Sequence, residues 1–92
     1  MEGQYVVVTT EHRGVFGGRF VARQDREITL ADARVCLYWS RETKGFIGLA
    51  VTGPLSGSRV SSAARRLIVT GVTSITLATE EAEKCWEEGP WS

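Results

Sequence analysis

The sequence predicts a mainly β fold of the α+β class: a small barrel of five to six strands with a short central helix and a C-terminal helix. Short runs of β-branched and aromatic residues alternate with polar turns, and adjacent glycines interrupt one run. A helical pattern occurs once in the middle of the chain and once near its end. At 92 residues the chain has room for a single domain, residues 1–92, with one modest core.

Three strands are predicted in the first part of the chain. Tyr5 to Val8 is a β-branched run, and Gly14 to Ala22 alternates apolar residues around the pair Gly17-Gly18. Glu27 to Trp39 is the long partner strand, broken near residues 31–33, where strand propensity falls. Adjacent glycines within a strand indicate a bend or bulge, because a strand without Cβ atoms coils easily. A bend of this kind allows a small barrel to close.

The pattern changes in the middle of the chain. Between Thr43 and Val51 apolar residues recur at helical spacing, at Phe46, Ile47, Ala50 and Val51. A short helix is therefore predicted, although Gly45 and Gly48 each weaken it by roughly 1 kcal/mol relative to Ala. Residues 52–58 have the composition of a loop.

The last part of the chain predicts two more strands, Arg66 to Thr70 and Val72 to Ala78, separated by Gly71. Val72 and Ile75 are an odd number of residues apart, so they can share a face only if a bulge or turn lies between them.

A helix over residues 79–88 follows these strands. Thr79 is a favourable N-cap, and Glu80 and Glu81 place negative charge at the positive end of the helix dipole. The predicted buried stripe of this helix is Ala82, Cys85 and Trp86. Gly89-Pro90 is expected to end it.

Charge is unevenly distributed along a chain whose net charge is zero. Residues 1–79 contain ten Lys or Arg against six Asp or Glu, which gives +4. Residues 80–92 contain one Lys against five Glu, which gives −4. Nine of the eleven cations are Arg, a residue that favours bidentate contacts with phosphate or carboxylate, although a GC-rich genome would produce the same bias.

No cofactor, metal site or catalytic residue is expected. The two cysteines, Cys36 and Cys85, lie far apart and are interpreted as free thiols. The single histidine, His12, lies in a polar connection without an evident nucleophile or metal partner. No apolar run approaches the roughly 20 residues of a spanning helix, so a cytoplasmic protein without membrane contact is expected.

One set of residues is predicted to form a ligand site. Guanidinium groups beside an aromatic ring suit a base stacked above a phosphate. The candidate ligand-binding residues are Arg34, Trp39, Ser40, Arg59, Arg65 and Arg66. Tyr38 and Trp39 are adjacent on a strand and point to opposite faces, so at least one of them is expected in the core.

Two resemblances add to this interpretation. The glycine-bent strand followed by Glu27-Ile28-Thr29-Leu30-Ala31-Asp32-Ala33 resembles the first conserved motif of Sm-like small barrels, which implies an SH3/Sm-like barrel. The chain is also similar, over nearly its whole length, to a family of short uncharacterised proteins of tailed phages and prophages, which implies a phage-encoded accessory protein in the host cytoplasm. The segments that carry this similarity are Val6-Val7-Val8, Gly14-Val15-Phe16-Gly17-Gly18, Ala33-Arg34, Tyr38-Trp39-Ser40, Gly48-Leu49-Ala50 and Pro90-Trp91.

The sequence leaves three functions open. The first is a non-enzymatic phage accessory protein: a homo-oligomeric binding module that sequesters a nucleotide-like ligand or a host protein to counter host defence. The second is an Sm-like nucleic-acid-binding protein, although zero net charge disfavours broad nucleic-acid affinity. The third is a structural component of the virion or of its assembly.

Overall fold

The computed structural model describes residues 2–11, 14–38, 45–54 and 59–88. These residues form six strands and two short helices. In chain order the elements are β1 (Tyr5–Thr10), β2 (Val15–Gln24), β3 (Glu27–Tyr38), α1 (Gly45–Val51), β4 (Arg59–Val60), β5 (Ala64–Val69), β6 (Val72–Leu77) and α2 (Glu80–Glu88).

The strands form one antiparallel sheet with the order β4-β3-β2-β1-β6, and β5 also pairs with β3. The first half of β3 pairs with β5 and its end pairs with β4, so these two short strands share one edge of the sheet. The opposite edge is β6, which pairs with β1. The mainly β prediction is thus confirmed, and in the described residues the sheet is open.

The predicted break in the third strand is wrong, because β3 runs without interruption through residues 31–33. Asp32 has a φ of 51°, the left-handed conformation. The pairing with β2 shifts there, whereas the pairing with β5 continues to Ala33. A residue with low strand propensity is therefore accommodated as a bulge, which bends a strand without ending it.

Two clusters of buried residues lie on opposite sides of the sheet. One lies under the helices and consists of Tyr5, Val7, Val15, Cys36, Leu49, Ala50, Val60, Ala82 and Trp86. The other consists of Val6, Val8, Ile28, Leu30, Ala33 and Val69, with Phe16, Phe20, Leu67, Val72 and Ile75 packed against it. Alternate residues of β1 enter opposite clusters, which is why this strand is apolar at four successive positions.

The irregularity predicted between Val72 and Ile75 is present in β6. Its register against β1 shifts between Thr9 and Thr10. Both Val72 and Ile75 consequently pack against the same buried cluster.

The helix α1 confirms the predicted central helix, but its buried side differs from the predicted one. Leu49 and Ala50 are buried, whereas Ile47 and Val51 are 52% and 49% exposed. Because α1 is only seven residues long and contacts β1 and α2, just two described apolar side chains reach the core.

The helix α2 begins after Thr79, as predicted. The Thr79 hydroxyl accepts a hydrogen bond from the backbone N–H of Ala82 at 3.0 Å, the geometry of an N-cap. The same hydroxyl lies 2.5 Å from the carbonyl oxygen of Val51 and donates to it, which links the start of α2 to the end of α1. Ala82 and Trp86 are fully buried and Cys85 is half-buried, whereas the predicted stop at residues 89–90 lies outside the described residues.

Candidate functional site

Trp86 fixes α2 on the sheet. Its indole N–H donates to the carbonyl of Leu49 at 2.9 Å, and its ring has no exposed surface. A Cβ added at Gly17 would lie 2.8 Å from the ring carbons, so the glycine provides the space that the indole fills. One member of the glycine pair therefore has a packing role that the strand pattern alone does not show.

Arg19 on β2 forms ion pairs with two glutamates of α2, next to the buried cluster that contains Trp86. Arg19 donates to the carboxylates of Glu83 at 2.5 Å and Glu87 at 3.2 Å, and its guanidinium lies 5.8 Å from the centre of the Tyr5 ring. The hydrogen bond that Arg19 donates to Glu83 is the largest cause that raises the pKa of Arg19. The two glutamates are four residues apart, so they lie on one face of α2 and hold it against β2.

The Tyr5 hydroxyl is buried and has no hydrogen-bond partner among the described residues. Burial raises the pKa of Tyr5 well above its usual value, and the nearby positive charge of Arg34 offsets this only in part. The Tyr5 ring contacts Trp86 with 6.2 Å between ring centres. Sequence reasoning missed this hydroxyl, because Tyr5 lies in a β-branched run that predicts only a strand.

Arg34, a predicted ligand-binding residue, lies beneath the end of α2. It donates to the carbonyl of Ser61 at 3.2 Å and to the carbonyl of Glu87 at 3.4 Å. A cation beside the last carbonyls of a helix complements the helix dipole. Arg34 thus links β3, the segment after β4 and α2.

The three other predicted arginines lie along the edge formed by β4 and β5. Arg59 is opposite Tyr38, and Arg66 is opposite Ala31. Arg59, Arg65 and Arg66 are all exposed, and their side chains make no hydrogen bond or ion pair with the other described residues. The β3 residues opposite Arg59 and Arg66 are seven positions apart, so at about 3.3 Å per residue the two arginines lie about 23 Å apart along β3.

Arg65 and Arg66 point to opposite faces of the sheet, because adjacent residues of a strand alternate. Leu67 and Val69, which share the side of Arg65, pack in the second buried cluster. Ile68 shares the side of Arg66 and is 60% exposed. Among the described residues, the edge thus offers one cation at one end and, at the other, two cations on opposite faces, of which Arg66 lies on the side of Ile68.

Trp39 and Ser40, the other two predicted site residues, lie outside the described residues, as do His12 and the side chain of Tyr38. The structure therefore brings Arg59, Arg65 and Arg66 to one edge and places Arg34 under α2. The aromatic half of the predicted site stays a prediction.

The turn between β2 and β3 contacts the turn between β5 and β6. The Arg26 guanidinium forms an ion pair with Glu11. The N–H of Val72 donates to the carbonyl of Arg26 at 3.0 Å, and the N–H of Glu11 donates to the carbonyl of Gly71 at 2.9 Å. A surface depression of about 370 Å³ lies here, lined by Gln24, Asp25, Arg26, Glu27 and Thr70.

The described residues provide little chemistry of their own. No group of three or more His, Cys, Asp or Glu side chains within them is placed to hold a metal ion. The Cys85 thiol donates to the carbonyl of Pro54 at 2.9 Å, and burial is the main cause that raises the pKa of this thiol. A thiol with a raised pKa is protonated at neutral pH and is a poor nucleophile.

The fold and these contacts define a class, the small mainly β proteins in which two short helices cover part of an antiparallel sheet. Comparison with protein families narrows the class: residues 3–86 match the family described as Domain of unknown function (DUF6948), and the chain belongs to that family. No curated protein matches the sequence. Neither described helix is long and apolar enough to cross a membrane.

Proposed function

We propose that this protein is a non-enzymatic binding module that holds a nucleotide-like, phosphate-bearing ligand on the edge formed by β4 and β5. One observation carries the proposal: Arg59, Arg65 and Arg66 are exposed and unpaired among the described residues. Arg19, Arg26 and Arg34 are instead held by contacts within the chain. Among the described residues, Arg23 and Lys84 are also exposed without an ion pair, but they lie on β2 and α2, whereas three such cations share this edge.

The chemistry of this edge supports a phosphate-bearing ligand. Guanidinium groups bind phosphate oxygens through two parallel hydrogen bonds, and such charge-assisted bonds are stronger than neutral ones. Ile68 provides apolar surface beside Arg66. Trp39 follows Tyr38, the residue opposite Arg59, and we include its indole in the proposal as the surface on which a base stacks.

The proposal extends to a phage accessory protein that sequesters its ligand in the host cytoplasm and so counters host defence. This part rests on the similarity of the sequence to short phage proteins. Binding without conversion suits such a role, because a sequestering protein requires affinity and no catalytic group.

The proposal also includes closure of the sheet into an SH3/Sm-like barrel. Two contacts support it. The bond from Val72 to Arg26 joins the turn between β5 and β6 to the turn between β2 and β3, and the bond from Glu11 to Gly71 joins the same turn to the end of β1. A sheet whose two edge strands are joined by a two-residue turn must curl, because successive strands lie close together at that end.

Isothermal titration calorimetry tests the proposed function. Cyclic dinucleotides, cyclic trinucleotides and adenosine-diphosphate-ribose derivatives are titrated into the wild type, the Arg65→Ala/Arg66→Ala variant and an Arg23→Ala control, whose arginine is exposed elsewhere. Loss of charge-assisted hydrogen bonds is expected to weaken binding about 10- to 100-fold in the double variant and not in the control. Raising the salt concentration is expected to weaken binding to the wild type.

Other results would favour other functions. Binding of single-stranded RNA or DNA with no binding of mononucleotide ligands would favour the Sm-like nucleic-acid protein. No heat with any anion would contradict the proposal and favour a host-protein partner or a structural role in the virion.

A further inference from the structure

Unpaired charges of opposite sign lie on β5 and at the start of α2. Arg65 and Arg66 are exposed on β5. Glu80 and Glu81 are exposed at the start of α2, the helix that follows β6 in the chain. None of these four residues makes an ion pair with another described residue. Two cations at the edge strand β5, one on each face of the sheet, thus match two anions at the start of α2.

Each surface also carries an exposed apolar side chain. Ile68 follows Arg66 on β5 and is 60% exposed, and Leu77 ends β6 and is 50% exposed. Among the described residues β5 pairs only with β3 and β6 only with β1, so both strands are at edges of the sheet. The closure proposed above joins these edges at the turn between β5 and β6 and leaves their far ends, which carry Arg65, Arg66 and Leu77, unpaired. Native proteins usually cover or charge such edges, because unpaired backbone groups invite another chain.

The order of these groups along the chain is complementary. On β5 the two arginines come first and Ile68 follows, whereas at the other surface Leu77 comes first and the two glutamates follow. In an antiparallel approach, the arginines of one surface lie beside the glutamates of the other and the two apolar side chains lie close together. In a parallel approach, the charges lie beside the apolar residues.

We infer that β5 of one copy of this chain binds the surface formed by Leu77, Glu80 and Glu81 of a second copy. The occupant is a second copy because the chain itself supplies both halves of the complementary charge. Two cations on β5 and two anions at the start of α2 have no ion-pair partner among the described residues of their own chain. The contact joins two different surfaces, so it is heterologous and generates a ring where the rotation closes and a filament where it does not.

The inferred contact shares Arg65 and Arg66 with the proposed ligand site but requires no ligand. A phosphate-bearing ligand and the neighbouring copy compete for the same guanidinium groups. Ligand binding is therefore expected to shift the protein towards smaller assemblies, a coupling between ligand and oligomeric state.

Charge-reversal variants test the contact by sedimentation velocity at about 0.1 M and 1 M salt, where the screening length falls from about 10 Å to 3 Å. The wild type is expected to associate at low salt and to dissociate towards monomer at high salt. The variants R65E/R66E and E80R/E81R are each expected to remain monomeric at low salt. Mixing the two variants, or combining all four changes in one chain, is expected to restore association, which also shows that the variants fold.

The control is Arg23→Glu, which changes the net charge by as much as the single variant R66E at an exposed residue outside the contact. It is expected to associate like the wild type. Wild type that is monomeric at low salt, or reversal variants that associate as the wild type does, would overturn the inference. Monomeric wild type that still gives heat with a phosphate-bearing ligand would leave the proposed function intact.

Discussion

At the scale of single residues, the Tyr5 hydroxyl is buried without a hydrogen-bond partner among the described residues. A buried polar group without a partner costs about 1–3 kcal/mol. Tyr5→Phe removes the hydroxyl and keeps the ring that packs on Trp86. The free energy of unfolding, measured by urea denaturation at neutral pH, is therefore expected to rise by about 1 kcal/mol. A fall of that size would show that the hydroxyl has a stabilising partner.

The same residue predicts a dependence of stability on alkaline pH. Burial raises the pKa of Tyr5 above its value in the unfolded chain, which is about 10. The contribution of the neutral phenol to stability is therefore complete below about pH 10 and is lost as the pH rises further. Urea denaturation at increasing pH is expected to show a smaller loss of stability for Tyr5→Phe than for the wild type. Equal losses would contradict the assignment of the effect to Tyr5.

Gly17 predicts a steric effect that can be separated from strand propensity. A Cβ at this position would lie 2.8 Å from the Trp86 ring, so Gly17→Ala is expected to destabilise the protein by about 1–3 kcal/mol. In the Trp86→Ala background the ring is absent, and the same substitution is expected to cost much less. Thermal unfolding of the four variants of this cycle measures the coupling. Additive effects would show that the ring and the glycine do not contact each other.

At the scale of elements, α2 is attached by one large side chain. Trp86 is fully buried, and truncation of a buried Trp costs about 3–5 kcal/mol. Small domains are typically stable by about 5–15 kcal/mol, so Trp86→Ala is expected to remove a large part of the stability. Ile47→Ala is the control, since Ile47 is 52% exposed on the other helix. An unchanged melting temperature for Trp86→Ala would show that α2 is not needed for the fold.

The positions of the elements were largely predictable from sequence because local signals are strong there. The N-cap at Thr79 and the turn at Gly71 are set by neighbouring residues. The conformation at Asp32 was not predictable from sequence. Its low strand propensity predicts a break, whereas pairing with β2 on one side and β5 on the other keeps β3 continuous. The buried side of α1 was missed for a similar reason, since a seven-residue helix shows too few turns to define a face.

At the scale of the whole molecule, the distribution of charge along the chain could be determined from the sequence, whereas the positions of the charged side chains in the fold could not. Composition indicates an arginine-rich body and an acidic end. Which arginines are held within the fold depends on long-range contacts: Arg19 reaches Glu83 and Arg34 reaches Glu87, far along the chain. The set of candidate residues stays a prediction from the sequence, and the placement of Arg59, Arg65 and Arg66 at one edge required the sheet order.

The central claim is that the edge formed by β4 and β5 binds a phosphate-bearing ligand, and an NMR titration tests it most directly. Isotope-labelled protein is titrated with a cyclic dinucleotide and with adenosine diphosphate ribose at about 0.1 M salt, and adenosine serves as the uncharged control. Amide shifts are expected to concentrate in Arg59–Val60 and Ala64–Val69, to saturate, and to be absent with adenosine. Saturable shifts confined to the turn between β2 and β3, or no shifts with either phosphate ligand, would contradict the claim.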